Sequence, residues 1–157
     1  DLEKSLSILY YGLAADSPYG AWMKQLELPG NIGLLEALPK PTGLPRWLTQ
    51  EDFDYYVAQY RKSGFFGPNS WYRNIEYNHA ITPELEGARF RQPAAFAAGS
   101  EDDVLLYDPE WKTNFPKAFD DLRFMEVIEG AGHWLQVEKP AETTAVMLRF
   151  LREVEPR

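Results

Sequence analysis

No cysteine occurs anywhere in the 157 residues, which excludes disulfide bridges and thiolate metal sites and is compatible with a reducing compartment without requiring one. Basic side chains are outnumbered, with 16 Lys and Arg against 24 Asp and Glu for a formal net charge of −8. No block of like charges is long enough to form a tail, so nucleic acid and anionic membranes are not expected partners. Long apolar runs are missing too. No stretch approaches the roughly 18 residues of a membrane span, and the N-terminus lacks the basic and apolar regions of a signal peptide. The expectation is a soluble, cytoplasmic protein. An initiator methionine is also absent, and Asp1-Leu2-Glu3-Lys4 runs straight into a helical pattern, which reads as an internal break point.

What is present suffices for one core. At 45% hydrophobic and 15% aromatic, the chain has material for a single domain or part of one, and a second independent domain is hard to accommodate. Leu6, Leu9, Tyr10 and Leu13 recur at helical spacing, predicting a first helix that ends near Ala15. Residues 17–46 hold five prolines and four glycines, too many breakers for one regular element. A second helix is better specified. Thr49 followed by Asp52 resembles a capping box, Leu48 and Phe53 sit at staple spacing, and Phe53, Tyr56, Val57 and Tyr60 form its apolar face. It should stop at Ser63-Gly64, before an aromatic-rich turn, 65–76, that feeds a further helix.

Beyond Pro93 the pattern changes. Short apolar runs at 94–98 and 124–128 read as buried strands, with a short helix around 111–119 between them. A last helix opens on Pro140, its apolar face carrying Val146, Met147, Phe150, Leu151 and Val154. The tail is thus β-α-β-α. Two strands alone cannot make the doubly covered sheet that such a tail implies, so further strands are expected from elsewhere.

Each predicted strand delivers a polar residue at its end. Asp102 closes the turn Gly99-Ser100-Glu101-Asp102, and His133 follows Gly130-Ala131-Gly132, 31 residues later. A carboxylate that accepts the imidazole N–H would fix the tautomer and stabilise the imidazolium formed when the other nitrogen takes a proton. This is the base and acid of a triad without its nucleophile. A loop histidine satisfied by backbone groups is the bland alternative, and the strand-end setting argues against it. His79 has no such setting and reads as a surface or cap residue. Glu101 and Asp103 compete with Asp102 for the acid's place, and all three could simply solvate the turn.

From about Leu48 to Leu151 the chain resembles the cap and C-terminal part of epoxide hydrolases of the α/β-hydrolase fold. The matching pieces are Ser-Gly-Phe-Phe-Gly-Pro-Asn-Ser-Trp-Tyr-Arg-Asn at 63–74, Ala-Gly-Ser-Glu-Asp at 98–102 and Gly-Ala-Gly-His-Trp-Leu-Gln-Val-Glu-Lys-Pro at 130–140. Gly-x-x-Asp and Gly-His are common to many α/β-hydrolases; the first piece points to epoxide hydrolases. The resemblance implies an α/β fold, with residues 1–90 as part of a helical cap and residues 91–157 as the C-terminal β-α-β-α portion of the core.

It also implies a two-step reaction. An aspartate opens the epoxide to an alkyl-enzyme ester, and a His-activated water hydrolyses that ester to a vicinal diol. Cap tyrosines donate to the epoxide oxygen as it becomes an alkoxide. By motif match His133 is the base, Asp102 the orienting acid because it stands three residues after the glycine, and Tyr72 one of two cap tyrosines. Trp71, Trp134 and Phe66 are expected to line an apolar pocket, although aromatics at such spacing also serve as packing. Tyr10 and Tyr11 could be nominated as the second tyrosine, but Tyr10 fits the apolar face of its helix.

Neither a nucleophile elbow of the Gly-His-Asp-x-Gly kind nor a His-Gly-x-Pro segment occurs in these residues. The expected partner is therefore an N-terminal half of the same hydrolase, without which this chain should not turn over. A small apolar epoxide is the expected substrate. No cofactor or metal is implied, and the oligomeric state is left open, a homodimer included. The alternatives are another α/β-hydrolase reaction, such as haloalkane dehalogenation or ester hydrolysis, and a non-catalytic binding module.

Overall fold

The computed structural model describes residues 1–24, 30 and 32–155. Its first part is helical. Helix α1 (Leu2–Gly12) is capped by Asp1, whose side chain accepts the Lys4 N–H, and two short helices follow, α2 (Ala21–Lys24) and α3 (Leu34–Ala37). The rest of the described Pro/Gly-rich stretch is irregular, as its breakers predict. Helix α4 (Gln50–Ser63) starts where Thr49 accepts the Asp52 N–H at 3.1 Å and donates its hydroxyl to the Asp52 carboxylate at 2.6 Å. Such a cap contributes about 1 kcal/mol.

The apolar faces of α1 and α4 meet. Leu6, Leu48, Phe53 and Val57 form a buried cluster, with Tyr10, Trp47, Tyr56 and Tyr60 packed against it. Leu48 and Phe53 thus lie in one cluster, as staple spacing requires. Two further helices, α5 (Phe66–Arg73) and α6 (Ile75–Ile81), pack against each other and leave Phe66, Trp71, Tyr72, Ile75, Tyr77 and Ile81 more than half exposed.

The second part is a two-stranded parallel sheet among the described residues, β1 (Ala94–Gly99) beside β2 (Leu122–Ile128). Ala95 pairs with Phe124 and Gly99 with Ile128, after one register shift at Ala94. Parallel strands need a crossover. Here it consists of the 3-10 turn Asp103–Tyr107, helix α7 (Trp111–Asn114) and a second 3-10 turn, Phe115–Ala118. Phe96 meets Trp111 and Phe115 from this crossover. On the opposite face Phe124 meets Phe150 of α9 (Pro140–Val154), which follows the one-turn helix α8 (Leu135–Glu138). Alternation along a strand sends these two phenylalanines to opposite sides.

Two expectations need correction. Helix α1 stops at Gly12 instead of near Ala15, because the Leu13 carbonyl and the Ala15 N–H are engaged by the loop around His133. The segment 65–76, expected to be a turn leading into a helix, is itself largely helical, with α5 over Phe66–Arg73.

Candidate active site

Both strands end at the same level, and their turns are tied together. The Ser100 N–H donates to the Ile128 carbonyl at 3.0 Å, the Glu101 N–H to the Ala131 carbonyl at 2.9 Å, and the Gly130 N–H to the Ser100 hydroxyl at 2.9 Å. The backbones approach so closely that a Cβ on Gly99 would stand 2.1 Å from the Ala131 carbonyl oxygen. Only glycine fits there.

This brings Asp102 and His133 into contact. His133 Nδ1 lies 3.2 Å from each carboxylate oxygen of Asp102. The carboxylate is buried, 7% exposed, and its Oδ1 also accepts the Val104 N–H at 3.0 Å, which orients it. The imidazole remains more open, with 38% of its side chain accessible. With Nδ1 engaged, Nε2 is the nitrogen available to a water molecule. The hydrogen bond to Asp102 raises the His133 pKa above its ordinary 6.5 against the lowering effect of burial, and the negative charges of Asp102 and Glu138 add to the rise.

Asp103 has a different task. Its two carboxylate oxygens accept the Gly20 N–H at 2.6 Å and the Trp22 N–H at 2.7 Å. It is 6% exposed and is consumed by anchoring the segment that follows α1. Asp103 thus does not merely solvate the turn, and of the two aspartates it is Asp102 that contacts His133.

The His133 loop is fastened to the end of α1. The His133 N–H donates to the Leu13 carbonyl at 2.9 Å, and Trp134 Nε1 to the Tyr10 carbonyl at 3.1 Å. Glu138, at the end of α8, accepts three backbone N–H groups: Ala15 at 2.9 Å and Gly132 at 3.0 Å on Oε2, and Trp134 at 3.0 Å on Oε1. A Cβ on Gly132 would lie 2.5 Å from the Ala15 nitrogen. Sequence reasoning assigns Glu138 no role, although it lies within the matched 130–140 piece, because bonds from backbone N–H groups leave no mark on residue identity and the partner that ties it to α1, Ala15, is 123 residues away.

Of the remaining predicted residues, Trp134 adjoins the site, its ring 5.1 Å from the imidazole and nearly perpendicular to it. Tyr10 flanks Trp134 at 5.2 Å and also contacts Trp47 and Tyr56. Burial, with the nearby Tyr60 and Tyr56, pushes the Tyr10 phenol up to about 12, in keeping with a packing role. Trp71 and Tyr72 line an open groove of about 740 Å³ with Pro68 and Ile75. Phe66 is not part of that lining; the Arg73 guanidinium lies 5.5 Å from its ring centre. Among the described residues no hydrogen bond or aromatic contact joins Tyr72 to His133. His79 is exposed on α6.

No helix of the described residues is long and apolar enough to cross a membrane. No protein-family model matches the chain. Known proteins do. Epoxide hydrolase A of Mycobacterium tuberculosis (strain ATCC 25618 / H37Rv) is 38% identical over 160 residues, which cover 100% of this chain and 48% of that protein. The crystal structure of epoxide hydrolase A from Mycobacterium thermoresistibile superposes with a TM-score of 0.83 at 34% identity, covering 100% of this chain and 48% of its own. An epoxide hydrolase from an endophytic Streptomyces gives a TM-score of 0.87 at 27% identity, covering 97% of this chain and 46% of its own. This chain thus spans about half the length of these relatives. In sequence and in architecture it belongs to the epoxide hydrolases of the α/β-hydrolase fold.

Proposed function

We propose that this chain supplies the water-activating half of an epoxide hydrolase that converts an epoxide and water to a vicinal diol through an aspartyl ester. The observation that carries the reading is the Asp102–His133 pair at the ends of adjacent parallel strands, with Nδ1 on the carboxylate. In this reading the aspartate nucleophile resides in an N-terminal half, which also covers the exposed sheet edges and the apolar surface of α5 and α6. Residues 1–90 belong to the cap and 91–157 to the core.

In the first step the nucleophile's carboxylate oxygen attacks an epoxide carbon, the C–O bond breaks, and a cap tyrosine, Tyr72, gives its proton to the leaving oxygen. In the second, Nε2 of His133 takes a proton from water, the hydroxide attacks the ester carbonyl, and the tetrahedral intermediate collapses to the free carboxylate as its acyl hydroxyl proton passes to the departing diol oxygen. The proton on His133 then returns to the Tyr72 phenolate through solvent. Asp102 holds the tautomer and stabilises the imidazolium. Trp134 and Trp71 supply apolar walls for a small apolar epoxide. The matched piece at 63–74, with an exposed phenol at Tyr72, favours epoxide opening over dehalogenation or acyl-ester hydrolysis.

A single turnover of the full-length protein in heavy-oxygen water tests this. The ester route expects the label in the enzyme's carboxylate after the first turnover and none in the first equivalent of diol. Label in that first diol would mean direct attack of water on the epoxide, and the reading would fail.

A further inference from the structure

We infer that Glu138 is a positioning residue for ester hydrolysis, holding the His133 loop against the segment that leaves α1 through one carboxylate that accepts three backbone N–H groups. The inference rests on the reading of His133 as the base. Its three bonds, to Ala15, Gly132 and Trp134, bracket the histidine on both sides and reach across to the segment after α1. Charge-assisted hydrogen bonds of this kind are stronger than neutral ones. The His133 N–H bond to Leu13 and the Trp134 indole bond to Tyr10 run in parallel with them and fasten the loop to the end of α1.

No hydrophobic contact can do the same. The loop around Gly132 runs within a Cβ's reach of the Ala15 backbone, leaving no room for side chains between them. The half-buried Glu138 instead enters from the side, from the end of α8. Its negative charge also acts on the imidazole, alongside that of Asp102. Removing the carboxylate therefore loosens the loop and alters the titration of the base while leaving the nucleophile's own step alone.

The test compares E138Q, E138D and H133Q in the full-length hydrolase, following ester formation and ester hydrolysis separately in single turnovers, with His133 titrated by NMR. Glutamine keeps the shape but loses the charge and one acceptor oxygen. The expectation for E138Q is ester formation at the wild-type rate, hydrolysis slowed about 10- to 100-fold, the range that small misplacements produce, and a His133 titration moved to lower pH. Aspartate keeps the charge and both oxygens, and E138D should recover part of the hydrolysis rate and a titration near wild type. Wild-type hydrolysis and titration in E138Q would overturn the inference, as would equal slowing of both steps by E138Q and E138D. If E138Q does not fold, E138D alone decides: selective slowing of hydrolysis supports the role, and equal slowing overturns it. H133Q separates the two readings, because failure of that variant to accumulate ester rejects the base assignment itself.

Discussion

Asp102 and Asp103 are consecutive and both buried, yet Asp102 faces the His133 imidazole at 3.2 Å while Asp103 faces the backbone N–H groups of Gly20 and Trp22 at 2.6 and 2.7 Å. Substitution should separate chemistry from scaffolding. Asp102→Asn is expected to cut ester hydrolysis by orders of magnitude with a modest change in melting temperature, since the amide no longer enforces the right tautomer. Asp103→Asn should do the opposite, costing about 1–3 kcal/mol of stability through a backbone donor left unsatisfied while sparing much of the rate. Paired kinetics and thermal melts distinguish them, and the reverse ranking of rates would transfer the acid role to Asp103.

In the proposed reaction His133 must be neutral to take a proton from water. Because the hydrogen bond to Asp102 raises the His133 pKa above 6.5, ester hydrolysis should fall as pH drops through that raised value. Asp102→Asn removes the largest raising influence, so its acid limb should move to lower pH. Linkage gives a second sign. The folded state holds this proton more tightly than the unfolded chain, so the pair's stabilisation is complete below about pH 6.5 and fades as pH rises through the folded value. Single-turnover pH profiles and melts against pH measure both.

Tyr72 lies on α5, and Tyr72→Phe keeps the ring and removes only the hydroxyl, so the fold should stay intact. If its phenol protonates the opening epoxide, ester formation should slow by about 10²-fold, the cost of losing one of a few preorganised donors, with ester hydrolysis unaffected. An unfolded variant, or unchanged ester formation, would make Tyr72 a packing or spectator residue.

Gly132→Ala tests how closely the histidine loop must lie against the chain after α1. The new Cβ would meet the Ala15 nitrogen at 2.5 Å, a backbone atom that cannot rotate away. A loss of about 1–3 kcal/mol is expected, typical of overpacking, together with slower ester hydrolysis. A melting curve and rate like wild type would show that the loop can stand off without consequence.

How much of this was legible without coordinates depends on how local each determinant is. Thr49 and Asp52 cap α4 as their spacing predicts, and the apolar runs ending at Gly99 and Ile128 do form adjacent parallel strands, because capping and strand patterning act within a few residues. The Asp102–His133 contact was legible because both residues sit at strand ends in recognisable motifs. The end of α1 was not, since Leu13 and Ala15 answer to His133 and Glu138 more than 100 residues away. Glu138 and the anchoring role of Asp103 were missed for the same reason. The segment 65–76 was not legible as a helix, because its Gly-Pro-Asn-Ser run carries turn residues, yet Phe66–Arg73 forms α5.

The account stands most directly on what His133 does. In the full-length protein carrying His133→Gln, intact mass spectrometry after exposure to an apolar epoxide should show the enzyme plus one substrate mass, persisting while the wild type returns to its original mass. Release of diol at the wild-type rate with no such adduct would contradict the claim that this imidazole activates the hydrolytic water.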